Sequence, residues 1–331
     1  MSTKVLIVRF SSIGDIILTT PVIRCLKQQF DDGNAEIHYL TKKSFVPLLQ
    51  QNPYIDRILT IDEKVSEIAD VIRQEDYPYI IDLHRNLRSA QVKRLSRGAA
   101  FSFEKLNFRK WIFVNFKWNV MPDVHIVDRY MDTTKALSIK NDNGGLDYFI
   151  PKADEVNIFD IKDSLSAGYI SFAIGGQHQG KMLPERKIIE LCNGLETPVM
   201  LLGGPEDQDK GERIRENSNA NIYNACGKFS INQSADLVRQ SLLLITHDTG
   251  LMHIGAALKK NVISIWGATV PELGMYPYMP GKDSKIFRSP KSSSPYSKLG
   301  NKQWYKKAFD GFEKMDMKPI SDYANSIAAK A

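Results

Sequence analysis

At 331 residues, with 43% hydrophobic and 25% charged side chains, the chain has the composition of a globular protein and the length of about two domains. No apolar run approaches the ~20 residues of a membrane span, and residues 1–4 lead into a strand-like run with no signal-peptide pattern. Cys25, Cys192 and Cys226 are too scattered for a disulfide framework or a zinc motif, so a cytoplasmic protein with reduced thiols is expected.

The net charge of +6 is uneven: residues 84–118 hold nine Lys or Arg against one acid, and residues 282–318 hold ten against four. The first of these segments interleaves its charges with Phe101, Phe103, Phe108, Trp111, Phe113, Phe116 and Trp118. That mixture suits nucleic acid, a lipid surface or an anionic ligand, and equally a solvated helix face with an aromatic core side. No helix-turn-helix, RNP or zinc-finger pattern accompanies it, so no nucleic-acid partner is expected and an anionic ligand or lipid surface is preferred.

In chain order, residues 5–10 form a run of apolar and β-branched side chains suited to a parallel strand covered on both faces. Ser11, Ser12 and Gly14 then supply turn and cap chemistry. Ile16, Ile17, Val22, Ile23 and Leu26 share one helical face, with Pro21 early enough to be tolerated or to kink the first turns. Asp15 thus falls at the carboxyl end of a strand, the edge where open α/β sheets bind ligands. A carboxylate there can take a proton from a substrate, or it can simply cap a helix and complement its dipole. Further strands are expected at 36–40, 57–61, 79–83 and 100–103, with helices at 15–30, 44–51, 63–74 and 88–97, the βαβ rhythm of a parallel sheet.

The turn cluster Asn141-Asp142-Asn143-Gly144-Gly145 and Pro151 interrupt this rhythm, which restarts with strands at 169–174, 199–202, 221–223, 242–246 and 262–265. Two doubly wound α/β domains facing a central cleft are therefore expected, with a boundary near 141–166 and ligands in the cleft. Ser289-Pro290-Lys291-Ser292-Ser293-Ser294-Pro295 reads as a mobile loop.

Three motifs in the second half carry chemistry. Gly175-Gly176-Gln177-His178-Gln179-Gly180-Lys181 satisfies G-x-x-x-x-G-K, but Met182 replaces the magnesium-binding Ser or Thr and Pro184 follows too soon, so a P-loop NTPase is not expected. Glycine amides and Lys181 beside a helix start can still bind phosphate, or form only a turn with a surface lysine. Gly203-Gly204-Pro205-Glu206-Asp207 ends a strand with two acids, either of which could accept from ribose hydroxyls or favour a helix start. His247-Asp248-Thr249-Gly250 turns from a buried strand into a helix bearing His253, where Asp248, Thr249, the Gly250 amide and His253 would converge on a diphosphate.

Taken together, Arg9-Phe10-Ser11-Ser12-Ile13-Gly14-Asp15 with Thr20-Pro21, Asp82-Leu83-His84-Arg85-Asn86-Leu87-Arg88-Ser89, Lys181, Gly203-Gly204-Pro205-Glu206-Asp207 and Asp248-Thr249-Gly250-Leu251-Met252-His253 resemble the lipopolysaccharide heptosyltransferases, glycosyltransferase family 9. The resemblance runs in order along nearly the whole chain. It implies a GT-B fold: an acceptor-side Rossmann-like domain at 1–155, a nucleotide-sugar domain at 156–318, and a C-terminal helix within 319–331 packing back on the first domain. It also implies inverting, metal-independent transfer of heptose from ADP-heptose or a related nucleotide sugar to a lipid-linked lipopolysaccharide core, without cofactor, at the inner face of the cytoplasmic membrane.

On the matching positions, the resemblance makes Asp15 the catalytic base. It assigns Lys181, Glu206 or Asp207, Asp248, Thr249, Gly250 and His253 to the donor, and Arg9, Ser11, Ser12, Gly14, Arg85 and Arg88 to the acceptor. Leu183 before Pro184 departs from the family pattern, where an aromatic residue is usual, and this touches donor stacking and sugar identity. Two alternatives of other kinds are a nucleotide-sugar epimerase, which leaves the basic-aromatic segment unexplained, and a carbohydrate-binding protein, which needs no base. An NAD dehydrogenase is disfavoured because no G-x-G-x-x-G follows the first strand.

Overall fold

A computed structural model describes residues 2–290, 295–297 and 305–330, the side chains of 305–308 excepted. Residues 291–294 of the expected loop at 289–295 lie outside the described residues. The chain forms two compact units, one of residues 1–105 and 124–149, the other of 106–123 and 150–331. A single cut after residue 155 is thereby corrected: the excursion 106–123 leaves the first unit because Phe113 and, less deeply, Met121 pack against Val270 and Leu273 of the second.

The first unit is built on five parallel strands, β1 (Lys4–Val8), β2 (Glu36–Lys42), β3 (Arg57–Ile61), β4 (Tyr79–Asp82) and β5 (Ala99–Ser102), in the order β3-β2-β1-β4-β5. Val5, Leu6, Ile7 and Val8 are fully buried, as a central strand covered on both faces requires. The strand order reverses between β1 and β4, where Val8 pairs with Asp82. The expected helix at 15–30 is two helices, Ile13–Ile17 and Thr20–Gln29, with Pro21 in the first turn of the second, where its missing N–H is no loss. The segment expected to be helical at 44–51 is a 3-10 helix, Lys43–Leu48, which contains Pro47.

The second unit carries six parallel strands: β6 (Ile170–Ala173), β7 (Val199–Leu202), β8 (Ile222–Asn224), β9 (Leu243–His247), β10 (Val262–Trp266) and β11 (Lys285–Arg288). Their order, β11-β10-β9-β6-β7-β8, repeats the doubly wound pattern with its reversal between β6 and β9. β11 was not expected from the sequence. Lys285, Ile286 and Arg288 are exposed on this edge strand, so the buried apolar run that marks its neighbours is absent. Cys25, Cys192 and Cys226 are buried free thiols, the last two pushed up to about 12 by burial.

The C-terminal helix, Lys318–Ala328, corrects another expectation. It packs on its own second unit, with Ile320, Ala324 and Ile327 in one core with Ile188, Leu191 and Leu195. Asn325 clamps the contact, donating to the Gly194 carbonyl at 2.9 Å and accepting from the Glu196 amide at 3.1 Å. A Cβ at Gly194 would lie 2.6 Å from Ser321 Oγ and 2.8 Å from its Cβ, so only glycine permits this approach. Gly194→Val is expected to cost about 1–3 kcal/mol by overpacking. Denaturant unfolding should show that loss, and Ser321→Gly in the same chain should recover part of it.

Candidate active site

In the first unit, Arg9 emerges from the end of β1 with its guanidinium buried. Its Nη2 pairs with Asp15 Oδ1 at 2.7 Å, Nε donates to the Ser11 carbonyl at 2.7 Å, and Nη1 donates to the Leu83 carbonyl at 2.5 Å and to the Tyr130 hydroxyl at 3.1 Å. Burial works against this charge, but Asp15 first and Tyr130 next outweigh it and hold Arg9 above its usual pKa. Asp15 also accepts from Ser12 Oγ at 2.8 Å and from the Ser12 amide at 3.3 Å, closing a capping box at the start of Ile13–Ile17. The helix-capping role of Asp15 is therefore real, and its side chain nonetheless keeps 22% of its surface exposed. Ser11 and Ser12 hold the turn, and Gly14 is buried inside the short helix.

Across the strand reversal, Asp82 organises the turn after β4. Fully buried, it accepts from the amides of His84 at 3.0 Å and Arg85 at 2.7 Å, from Ser89 Oγ at 2.9 Å, and it pairs with Lys93 Nζ at 3.0 Å. Burial raises its pKa, but the Arg85 amide and Lys93 more than offset that, leaving it below the ordinary carboxylate value. Arg85 adopts the left-handed conformation, φ 50°, and its Nη1 donates to the Phe103 carbonyl at 3.0 Å. Arg88 lines a groove of about 720 Å³ with Lys64, Arg73 and Arg94, and no residue of the Asp15 turn lines it. His84 packs edge-on against Phe10, its ring centroids 5.2 Å apart. Burial first, then Arg9, pushes His84 down to about 4, so it is neutral at pH 7.

The second unit gathers its charges at the corresponding reversal. Lys181 Nζ pairs with Asp248 Oδ2 at 2.6 Å, and Thr269 Oγ1 donates to the same oxygen at 2.9 Å. Lys181 lies in a separate 3-10 turn, Gln179–Lys181, and Pro184 caps the next helix, so the P-loop geometry is absent as expected. Thr249 precedes the helix Gly250–Ala257, and its hydroxyl lies 3.2 Å from that of Thr246. A Cβ at Gly176 would touch Thr249 and Met182, which brings the glycine turn after β6 against this helix start. His253 is buried within the helix.

Asp207 and Glu206 separate cleanly in the structure. Glu206 is exposed, whereas Asp207 is buried, its Oδ2 accepting from the Gly204 amide at 3.0 Å. A Cβ at Gly175 would lie 2.1 Å from that Oδ2, and one at Gly203 2.8 Å, so the glycines ending β6 and β7 make room for the carboxylate. Burial raises its pKa. Tyr130, Thr269 and Lys210, which donates to the Ile174 carbonyl at 3.2 Å, were not anticipated as site residues. None belongs to a local motif; the topology alone brings them in. Among the described residues, no cluster of three or more His, Cys, Asp or Glu is arranged to hold a metal ion.

Two doubly wound parallel-sheet units are the architecture of the GT-B fold. A family model described as glycosyltransferase family 9 (heptosyltransferase) matches residues 65–303. The chain belongs to that family and is a glycosyltransferase. It is 26% identical over 298 residues to lipopolysaccharide heptosyltransferase 1 of Campylobacter coli, covering 80% of this chain and 84% of that one. Its fold is similar to a glycosyltransferase family 9 structure from Veillonella parvula, at a TM-score of 0.75 and 20% identity, covering 99% of this chain and 98% of that one. The ADP-heptose lipopolysaccharide heptosyltransferase II of E. coli matches at a TM-score of 0.74 and 18% identity, covering 99% of each chain.

Because Asp82 titrates lower in the folded chain than when unfolded, its stabilisation is present above the unfolded value of about 3.9 and disappears as pH falls through the folded value. Asp82→Asn is expected to lose roughly 1.5–3 kcal/mol at pH 7. Unfolding measured at descending pH should show the gap to wild type closing below about pH 4.

Proposed function

We propose that the chain transfers heptose from ADP-heptose to the inner core of a lipid-linked lipopolysaccharide, with inversion at the anomeric carbon and without a metal ion. The observation that carries the reaction class is the Arg9–Asp15 pair at 2.7 Å, which presents a fixed, partly exposed carboxylate at the ligand-binding edge of a doubly wound sheet. Family membership supplies the transferase chemistry, and relatives named for lipopolysaccharide and ADP-heptose support the substrates.

In this reading the first unit receives the acceptor. Asp15 accepts the proton of the attacking hydroxyl as its oxygen bonds to the anomeric carbon, and the bond to the β-phosphate breaks with ADP taking the electron pair. Arg9 and the Ser11-Ser12-Ile13-Gly14 turn position Asp15, and Arg85 and Arg88 supply positive charge on the acceptor side. In the second unit, Lys181 exchanges Asp248 for the departing diphosphate, a compact cation doing what a metal would otherwise do. The amides at Thr249 and Gly250 face the phosphates, His253 supports them, and Asp248 is left for sugar hydroxyls. Asp207 is favoured for the ribose, since the glycine-lined strand ends enclose it, with the exposed Glu206 second. The enzyme would work in the cytoplasm, bound peripherally at the inner membrane face. Among the described residues, no helix is long and apolar enough to cross a membrane.

Incubating the purified protein with ADP-heptose and truncated lipopolysaccharide cores should give a heptosylated product by mass, and isomerised sugar without acceptor would instead support an epimerase. Asp15→Ala should lower kcat by about 10²–10⁴-fold while the donor still binds; undiminished transfer would remove Asp15 from its role. Lys181→Ala should weaken ADP binding in calorimetry. Activity should persist in excess chelator, and strict dependence on magnesium would overturn the metal-free step.

A further inference from the structure

Within the basic-aromatic segment noted in the sequence, the stretch 106–123 has no part in the chemistry above, and its structure is specific. In the helix Asn107–Phe116, Phe113 turns inward onto Val270 and Leu273. Helical spacing places Phe108 and Trp111, three residues apart, on another side, and Phe116 joins them through its ring contact with Trp111. They form one exposed surface: Phe108 stacks on Trp111 with ring centroids 6.2 Å apart, and Trp111 meets Phe116 edge-on at 5.4 Å. Phe108 and Trp118, which lies two residues past the helix, are each 72% exposed. Among the described residues, six of the ten exposed large apolar side chains lie between 108 and 124, a clustering that scattered surface apolar groups do not show.

The segment is also positively charged and firmly held. Arg109, Lys110 and Lys117 fall between residues 106 and 122 without a single acid. Lys117 donates to the Val114 carbonyl at 3.0 Å and to the Pro295 carbonyl, and lies 5.0 Å above the Tyr296 ring, which ties the end of the helix to the second unit. We propose that this aromatic face is a docking surface for an anionic lipid bilayer. A ten-residue helix is about 15 Å long, short for a stable protein interface of about 800 Å² per partner. Tryptophan and phenylalanine flanked by Arg and Lys, however, match the headgroup region, where rings enter the acyl boundary and cations stay in water. The proposal draws its purpose from the lipid-linked acceptor of the preceding reading. Vesicle binding is measured without donor or acceptor, so either can fail while the other stands.

The test is sedimentation of the full chain with phosphatidylcholine vesicles, with and without phosphatidylglycerol. Wild type should bind when phosphatidylglycerol is present, less so at high salt, and Phe108→Ser/Trp111→Ser/Trp118→Ser should lose roughly tenfold or more in affinity at an unchanged melting temperature. Should the triple variant melt early, Trp118→Ser alone, beyond the helix, and Arg109→Glu should still show reduced binding. Wild type that ignores anionic vesicles, or variants that bind as well as wild type, would overturn the proposal. Self-association or single-stranded RNA binding abolished by the same substitutions, with no vesicle binding, would overturn it in favour of a second copy or of RNA.

Discussion

The first unit's candidate site depends on the buried guanidinium of Arg9. One planar group takes the Ser11 and Leu83 carbonyls, the Tyr130 hydroxyl and the Asp15 carboxylate, joining the ends of β1 and β4 to Tyr130, 121 residues beyond Arg9. A charge this deeply buried is tolerated only when paired and hydrogen-bonded, so Asp15 and Arg9 each make the other's position affordable. A residue proposed for chemistry is therefore also a structural element. The second unit uses the other cation in the other way. Lys181 is a more exposed point charge on a flexible stem, held by one carboxylate and able to change partner, whereas Arg9 has its donors already committed.

Much of the fold was legible because parallel strands buried on both faces write themselves as unbroken apolar runs. The central strands β1, β6, β7, β9 and β10 carry that signature, and glycine turns and acids stand at the carboxyl ends of the sheets. What was hidden is long-range. β11 is a short edge strand with exposed residues, so it lacks the run that identifies the central strands. The C-terminal helix has the apolar stripe of a packed helix, but a stripe says only that a face is buried, and Gly194 with Asn325 decides what buries it. The two adjacent acids Glu206 and Asp207 were indistinguishable in the sequence; the absence of side chains at Gly175 and Gly203 separates them. Tyr130 and Thr269 carry no motif at all, because each acts on a partner far away in the chain.

The turns bearing the proposed chemistry are rigid for different reasons. The Asp15 turn is fixed by side-chain hydrogen bonds to its own helix start, and the turn after β4 by a carboxylate gathering two amides, a hydroxyl and a lysine. Preorganisation of this kind keeps donors and acceptors aimed before any ligand arrives, so that little reorganisation opposes the reaction.

The excursion at 106–123 has a consequence for the way the molecule is made. Phe113 finds its core only against Val270 and Leu273, which leave the ribosome some 150 residues later, or roughly 10–30 s at ordinary elongation rates. The first unit can complete its sheet with this aromatic helix still unplaced, an exposed apolar segment waiting on a nascent chain. The same helix is thus a hazard before its partners appear, and one small cluster of the second unit waits on a piece of chain delivered long before the rest of it.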